Sequence, residues 1–192
     1  MQSENTRRII RNVAVVGGIV LVVVAIFLII RALFFMPPAT QTQLTNPLLD
    51  TSTNRGVKMT VRGPIIATEN ARSYDVDVTP SSRSVTLYSG YDGTVISKQV
   101  YDNSPAAYEQ FVYALNKADM TRTRQTSDSD TRGVCATGNL YTFSLENDTT
   151  IESSLWTSSC RSERGTLNTA PLPLNQLFDT QIPDIAKYRA GL

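Results

Sequence analysis

The stretch "VAVVGGIVLVVVAIFLII", Val13 to Ile30, constrains this chain more than any other part of it. It carries no charged residue. As a helix it spans roughly 27 Å, close to a bilayer core of about 30 Å. A continuous Val/Ile/Leu run with no polar face does not suit a helix packed on a soluble core. A cleaved signal peptide competes better, but its apolar region runs about 7 to 15 residues before a small-x-small site. Here "RALFFMPPAT" follows, with no convincing cleavage signal and no lipobox cysteine. The expectation is an uncleaved transmembrane helix over 13–36. Arg31 can lay its stem along the helix and place its guanidinium at the interface. Phe34 and Phe35 fall near that boundary, and Pro37-Pro38 ends the span.

The lipid bilayer is therefore the first expected partner, through residues 13–36. The flanks give the orientation. Residues 1–12 carry Arg7, Arg8 and Arg11 against Glu4 alone, and no Lys or Arg follows Arg31 until Arg55. Positive-inside puts the N-terminal tail in the cytoplasm and everything after Met36 outside. The tail holds a net +2 and Arg31 one more, so the total of +1 leaves the outer part near −2. Such a balance exerts no strong field toward nucleic acid, and no nucleic-acid partner is expected.

Residues 37–56 are rich in Pro, Thr, Gln and Asn and read as a linker that holds a domain off the membrane. The alternative is an extended arm docked on the domain through Leu44, Leu48 and Leu49. The domain itself is expected over 57–192. There "VKMTV", "SYDVDVT", "SVTLYS" and "TVISKQVY" alternate with period two. Tyr74, Val76 and Val78 point inward, and Asp75 and Asp77 outward. The last three strands have connections too short for a parallel crossover, so they are antiparallel neighbours. The period then changes. Tyr108, Phe111, Val112, Leu115 and Ala118 form one helical face, with Ser104 as N-cap and Pro105 in the first position. "LNQLFDTQI" suggests a short helix stopped by Pro183, and "DIAKYRAGL" a last turn. The predicted fold class is α+β: a transmembrane helix, then an antiparallel sheet of five to seven strands with one main packed helix and a stapled hairpin.

The staple is Cys135 and Cys160, the only cysteines in the chain. Between them, Tyr141, Phe143 and Leu145 alternate, then Ile151, Ser153 and Leu155, around an "ENDT" turn. Matching apolar faces pairs Leu145 with Ile151 and Tyr141 with Leu155. That register is one residue away from the one that aligns the cysteines. A bulge at Gly138, or just after Trp156, would reconcile the two. A disulfide at the open end of the hairpin follows, which requires an oxidising compartment. Two free buried thiols are the alternative.

The chain has no histidine. That excludes Ser-His-Asp and Cys-His catalysis and histidine metal ligation, and two thiolates alone do not complete a zinc site. There is no Ser-x-x-Lys motif, and no Gly-rich phosphate loop follows a strand. Carboxylate pairs remain, Asp75 with Asp77 and Asp128 with Asp130. Both have the very common Asp-x-Asp spacing. The second is the one weak metal candidate, for calcium. No cofactor is expected. Arg132, Arg161 and Arg164 flank the disulfide end and are the candidate anion or partner patch. The plainer reading is a solvated rim balanced by Asp128, Asp130 and Glu163. Asn147-Asp148-Thr149 matches a glycosylation sequon in the hairpin turn.

The stretch "SRSVTLYSGYDGTVISKQVYDNSPAAYEQFVYALNKADM", with the closing "LFDTQIPD", resembles uncharacterised single-pass membrane proteins of Saccharibacteria-type bacteria. The resemblance implies a surface-anchored domain in a bacterial setting, where the sequon has no role. It brings no catalytic motif. The expected function is a membrane-anchored, non-enzymatic extracytoplasmic module for binding or cell-envelope assembly, with an envelope or surface partner. A pilin-like subunit is the alternative, although the prepilin cleavage pattern is absent. A carboxylate-based hydrolase stands behind both.

Overall fold

The alternating segments form one six-stranded antiparallel sheet. Its strands are β1 (Arg55–Arg62), β2 (Arg72–Val78), β3 (Ser82–Ser89), β4 (Thr94–Asp102), β5 (Leu140–Asn147) and β6 (Thr150–Ser158), in the spatial order β4-β3-β2-β1-β5-β6. The computed structural model describes residues 46–125, 129–160, 164–190 and 192. They belong to a unit spanning Thr45–Leu192. Among the described residues no helix is long and apolar enough to cross a membrane. The expected tail 1–12 and anchor 13–36 lie outside them.

The expected alternation holds in β1 and β2. Val57, Met59 and Val61 are buried, as are Tyr74, Val76 and Val78. β1 pairs with β2 on one side and β5 on the other, setting Met59 between Val76 and Phe143. The described residues also form the helices α1 (Pro105–Lys117), α2 (Pro171–Asp179) and the short α3 (Ala186–Arg189). α1 starts where the caps predict. Ser104 accepts a hydrogen bond from the Ala107 N–H at 3.2 Å, and Pro105 occupies the first turn. Its Tyr108, Phe111, Val112 and Leu115 are buried. Phe178 of α2 meets Phe111 edge-to-face at 5.1 Å and Phe143 of β5 at 5.9 Å, so both helices share the sheet's apolar face. α2 begins at Pro171, earlier than the sequence segment suggests, because proline is well placed in a first turn.

Residues 46–56 belong to the domain, so the linker expected over 37–56 does not extend through them. Pro47–Leu49 form a 3-10 turn, and Leu48 is completely buried in the main core. Asn46 caps that turn by accepting from the Leu48 N–H, and its amide donates to Asn116 Oδ1 of α1 at 2.7 Å. Asp50 pairs with Arg55 at 2.8 Å. Hydrogen bonds from Ser52 and Arg55 hold its carboxyl down at about 2. Arg55 and Gly56 already lie in β1. Of the three leucines of the docked-arm alternative, Leu48 is buried, Leu49 is 39% exposed and Leu44 lies outside the described residues.

The hairpin exists, in a different register from the expected one. Phe143 faces Leu155, Tyr141 faces Thr157 and Leu145 faces Ser153. The loop is the reason. Asn147 faces Thr150 across the two-residue turn Asp148-Thr149, whereas the expected register, with paired numbers of even sum, can be closed only by a loop with an odd number of residues. Asp148 takes a positive φ of 52°, which aspartate tolerates. The register shift falls between Leu145 and Glu146, not at Gly138 or after Trp156. Ile151, expected inside, is 58% exposed as a result.

Cys135 and Cys160 are bonded, with Cα atoms 5.5 Å apart. Neither sits in the ladder. Cys135 lies in a turn at φ 53°, and Cys160 lies just past β6. The disulfide closes the open end of the hairpin beyond its last paired residues. Gly138 is required beside it: a β-carbon there would come within 2.8 Å of Cys135 Sγ and collide with Ser159 Oγ. Replacing both cysteines by alanine should cost about 2 to 5 kcal/mol of stability, read by denaturant unfolding. Leu48→Ala should likewise cost about 2 to 5 kcal/mol. A Leu48→Ala chain as stable as the parent would mean that residues 46–50 contribute nothing to the core.

Candidate functional site: a polar sheet face and an open edge

The face of the sheet turned away from the helices is built by the other half of each alternation. Lys58 of β1 stands beside Asp77 of β2 and Ser144 of β5, and Thr60 stands beside Asp75. Lys58 Nζ reaches Glu146 at 2.8 Å. Tyr88 donates its hydroxyl proton to Asp75 at 3.1 Å. Asp77 Oδ1 is shielded from solvent without a hydrogen-bond partner among the described residues. Burial pushes the Asp77 carboxyl up, helped by the negative charges of Glu146 and Asp75; Lys58 and Lys98 pull against it. For Lys58, burial works to lower the pKa, but the Glu146 hydrogen bond and the surrounding carboxylates together raise it.

Asp75 and Asp77 thus share the face expected of them, but Asp77 is less solvated than a strand's outer residue usually is. The missing elements were Lys58 and Glu146. The parity of "VKMTV" puts Lys58 opposite the buried face, but only the β1–β5 pairing brings Glu146 to it. Of the cavities lined by described residues, one of about 70 Å³ is lined by Tyr74, Tyr141, Asn175 and Arg189, and another of about 150 Å³ by Arg62, Arg72 and Tyr91. Both are smaller than the roughly 300 to 1,000 Å³ of typical small-molecule sites.

At the disulfide end, Arg132 grips the Asp130 carboxylate with two hydrogen bonds, at 2.9 and 2.8 Å. Arg164 donates to the Asp130 carbonyl oxygen at 3.0 Å, and Arg62 donates to that of Thr131 at 3.2 Å. The structure brings Arg132 and Arg164 to one loop, where both contact Asp130. The Arg132 hydrogen bonds lower the Asp130 pKa. Arg161, Asp128 and Glu163 lie outside the described residues. Among the described residues no group of three metal-ligating side chains occurs. Beneath the loop, Val134, Leu140 and Trp156 form a small second core with Cys135.

The two edges of the sheet differ. β6 is covered over its C-terminal half. The Trp156 N–H donates to Thr166 Oγ1 at 2.9 Å, and its carbonyl accepts from the Leu167 N–H at 3.0 Å. Gly165, at φ 125°, permits that approach, since a β-carbon would come within 2.8 Å of Trp156 O. β4 has no such cover among the described residues. Its outer edge is unpaired, and Val95, Ile96 and Val100 are 56%, 49% and 60% exposed. Uncovered apolar edge strands are uncommon in soluble domains because they invite pairing. The sequence identified the strand "TVISKQVY" but not its place at the edge.

No protein-family model, curated protein or solved structure matches this chain.

In the folded chain Asp77 holds its proton more tightly than in the unfolded chain. It therefore subtracts stability at neutral pH, and that loss disappears as pH falls through its raised pKa to below the unfolded value. Asp77→Asn should melt at a higher temperature than the parent at pH 7, with the gap closing near pH 4 (about the ordinary aspartate pKa). A gap that stays constant down to that pH would assign the effect to shape rather than charge.

Proposed function

We propose that this chain is a single-pass membrane protein whose α+β domain stands outside the cytoplasmic membrane and acts as a non-enzymatic binding or envelope-assembly module. The bacterial setting comes from the resemblance to Saccharibacteria-type membrane proteins. The apolar run Val13–Ile30 and its arginine flank support the anchor, and the Cys135–Cys160 bond agrees with an oxidising compartment. The observation that carries the binding reading is the contrast between the sheet edges. One is closed over its C-terminal half by residues 164–167, while β4, among the described residues, has no cover along its length and leaves three large apolar side chains to solvent. An edge of this kind accepts a further strand through main-chain hydrogen bonds, with alternate side chains supplying selectivity.

The test uses the full chain in its own membrane. A photo-crosslinking side chain at Ile96 should give a discrete adduct. The same group at Ile151, 58% exposed against 49% for Ile96 but on the opposite edge strand, should give none. Protease added to intact cells should remove the domain, and the intact mass should retain Met1 or begin at Gln2. A mature start beyond Arg31 or a protected domain would overturn the topology. Equal labelling at both positions, or none, would overturn strand addition.

A further inference from the structure

We propose that the strand added to β4 is β4 of a second copy, in one register, with Val100 on the two-fold axis and Lys98 of each copy opposite Asp102 of the other. This rests on the strand-addition reading above and names its partner. The backbone comes first. The Asn103 N–H donates to Ser81 O at 3.0 Å, in line with the Ser82↔Asp102 pairing. In an antiparallel ladder, residues alternate between turning both backbone groups to the neighbouring strand and turning both away. Asn103 and Tyr101 therefore turn theirs to β3, and Asp102, Val100 and Lys98 turn theirs outward. By the same alternation, the side chains of these three lie on one face, the polar one, beside Ser82, Ser84 and Thr86 of β3. All three are exposed.

Two copies joined edge to edge as one antiparallel sheet are related by an axis normal to that sheet, so the register is set by whichever residue lies on the axis. With Lys98 there, two ammonium groups face each other, which is destabilising. With Gln99 there, each Lys98 faces a valine. With Asp102 there, two carboxylates meet and the pairing runs off the end of the strand. With Val100 there, two valines meet at the centre and a Lys98–Asp102 pair closes each side. Each of the three facing pairs, Lys98–Asp102, Val100–Val100 and Asp102–Lys98, exchanges two backbone hydrogen bonds. A lone lysine on an edge strand discourages indiscriminate pairing. Here it does so with Lys98 or Gln99 on the axis but not in the register that supplies its counter-charge. With Tyr101 on the axis each Asp102 faces a valine and Lys98 has no carboxylate opposite, so charge complementarity favours one register. The contact is short, so it is expected chiefly where anchoring in one membrane raises the effective concentration.

The register makes a geometric demand. Facing Cα atoms of a hydrogen-bonded pair sit about 5.5 Å apart, within disulfide reach. The two Lys98 Cα atoms would lie roughly 14 Å apart, out of reach. Full-length Val100→Cys in its membrane, mildly oxidised, should run at twice the chain mass on a non-reducing gel, and Lys98→Cys should not. Adding Lys98→Glu to Val100→Cys should lower the linked fraction several-fold, and the exchanged pair Lys98→Asp/Asp102→Lys should restore it. Linkage through Lys98→Cys equal to or above that through Val100→Cys would overturn the register, and so would a linked fraction indifferent to charge. If Ile96 crosslinks to another protein while Val100→Cys stays monomeric, the second copy is the wrong partner and strand addition stands. If neither occurs, both fail.

Discussion

The domain depends on β1. It is the one strand that joins two parts of the chain formed separately in sequence, the β2–β3–β4 meander and the β5–β6 hairpin. Val57, Met59 and Val61 are buried on one face while the backbone is paired on both sides. A strand in that position satisfies its own polar groups and also fixes where its neighbours' apolar faces meet the helices. Phe178 can touch both Phe111 and Phe143 only because β5 is held beside β1 rather than left as an isolated hairpin, which would be marginal in water. The segment before β1 is part of the same arrangement. Leu48 enters the core and Asn46 ties it to α1, so the central strand is anchored just ahead of its start.

The sheet then has three differently treated boundaries. The helix-covered face is apolar. The opposite face carries Lys58, Glu146 and Asp77 close enough that burial and like charge perturb the carboxyl, a local destabilisation held in place by the surrounding pairing. β6 is covered by the chain that follows the disulfide loop, and Gly165 and Thr166 make that cover possible. β4 is left open. Half of one edge is closed by specific contacts and the other edge exposes Val95, Ile96 and Val100, and the proposal of a binding or assembly module rests on that asymmetry.

The charged residues singled out from sequence divide along physical lines. Asp130, Arg132 and Arg164 are close in space because the segments before β5 and after β6, joined by the disulfide, meet there, and both arginines donate to Asp130. Lys58 and Glu146, which sequence spacing could not connect, are the pair that shapes the polar face. Side chains 88 positions apart meet only through a strand register, and register depends on turn geometry and bulges that local patterns describe poorly.

By itself the sequence determined the pieces whose physics is local. Period-two alternation marked the strands β1 through β4 and, in β2, the inward residues Tyr74, Val76 and Val78. Period 3.6, with a serine cap and a first-turn proline, set α1. Two cysteines in a chain read as facing outward indicated a disulfide. Tertiary structure alone decided the order of strands, the two-residue turn that moved Phe143 opposite Leu155, the burial of Leu48, and which strand was left at an edge. The reason is range. Caps, periodicity and turn propensity act over a few residues, whereas strand order and edge exposure depend on which distant surfaces bury one another most completely, and no short stretch of sequence contains both partners.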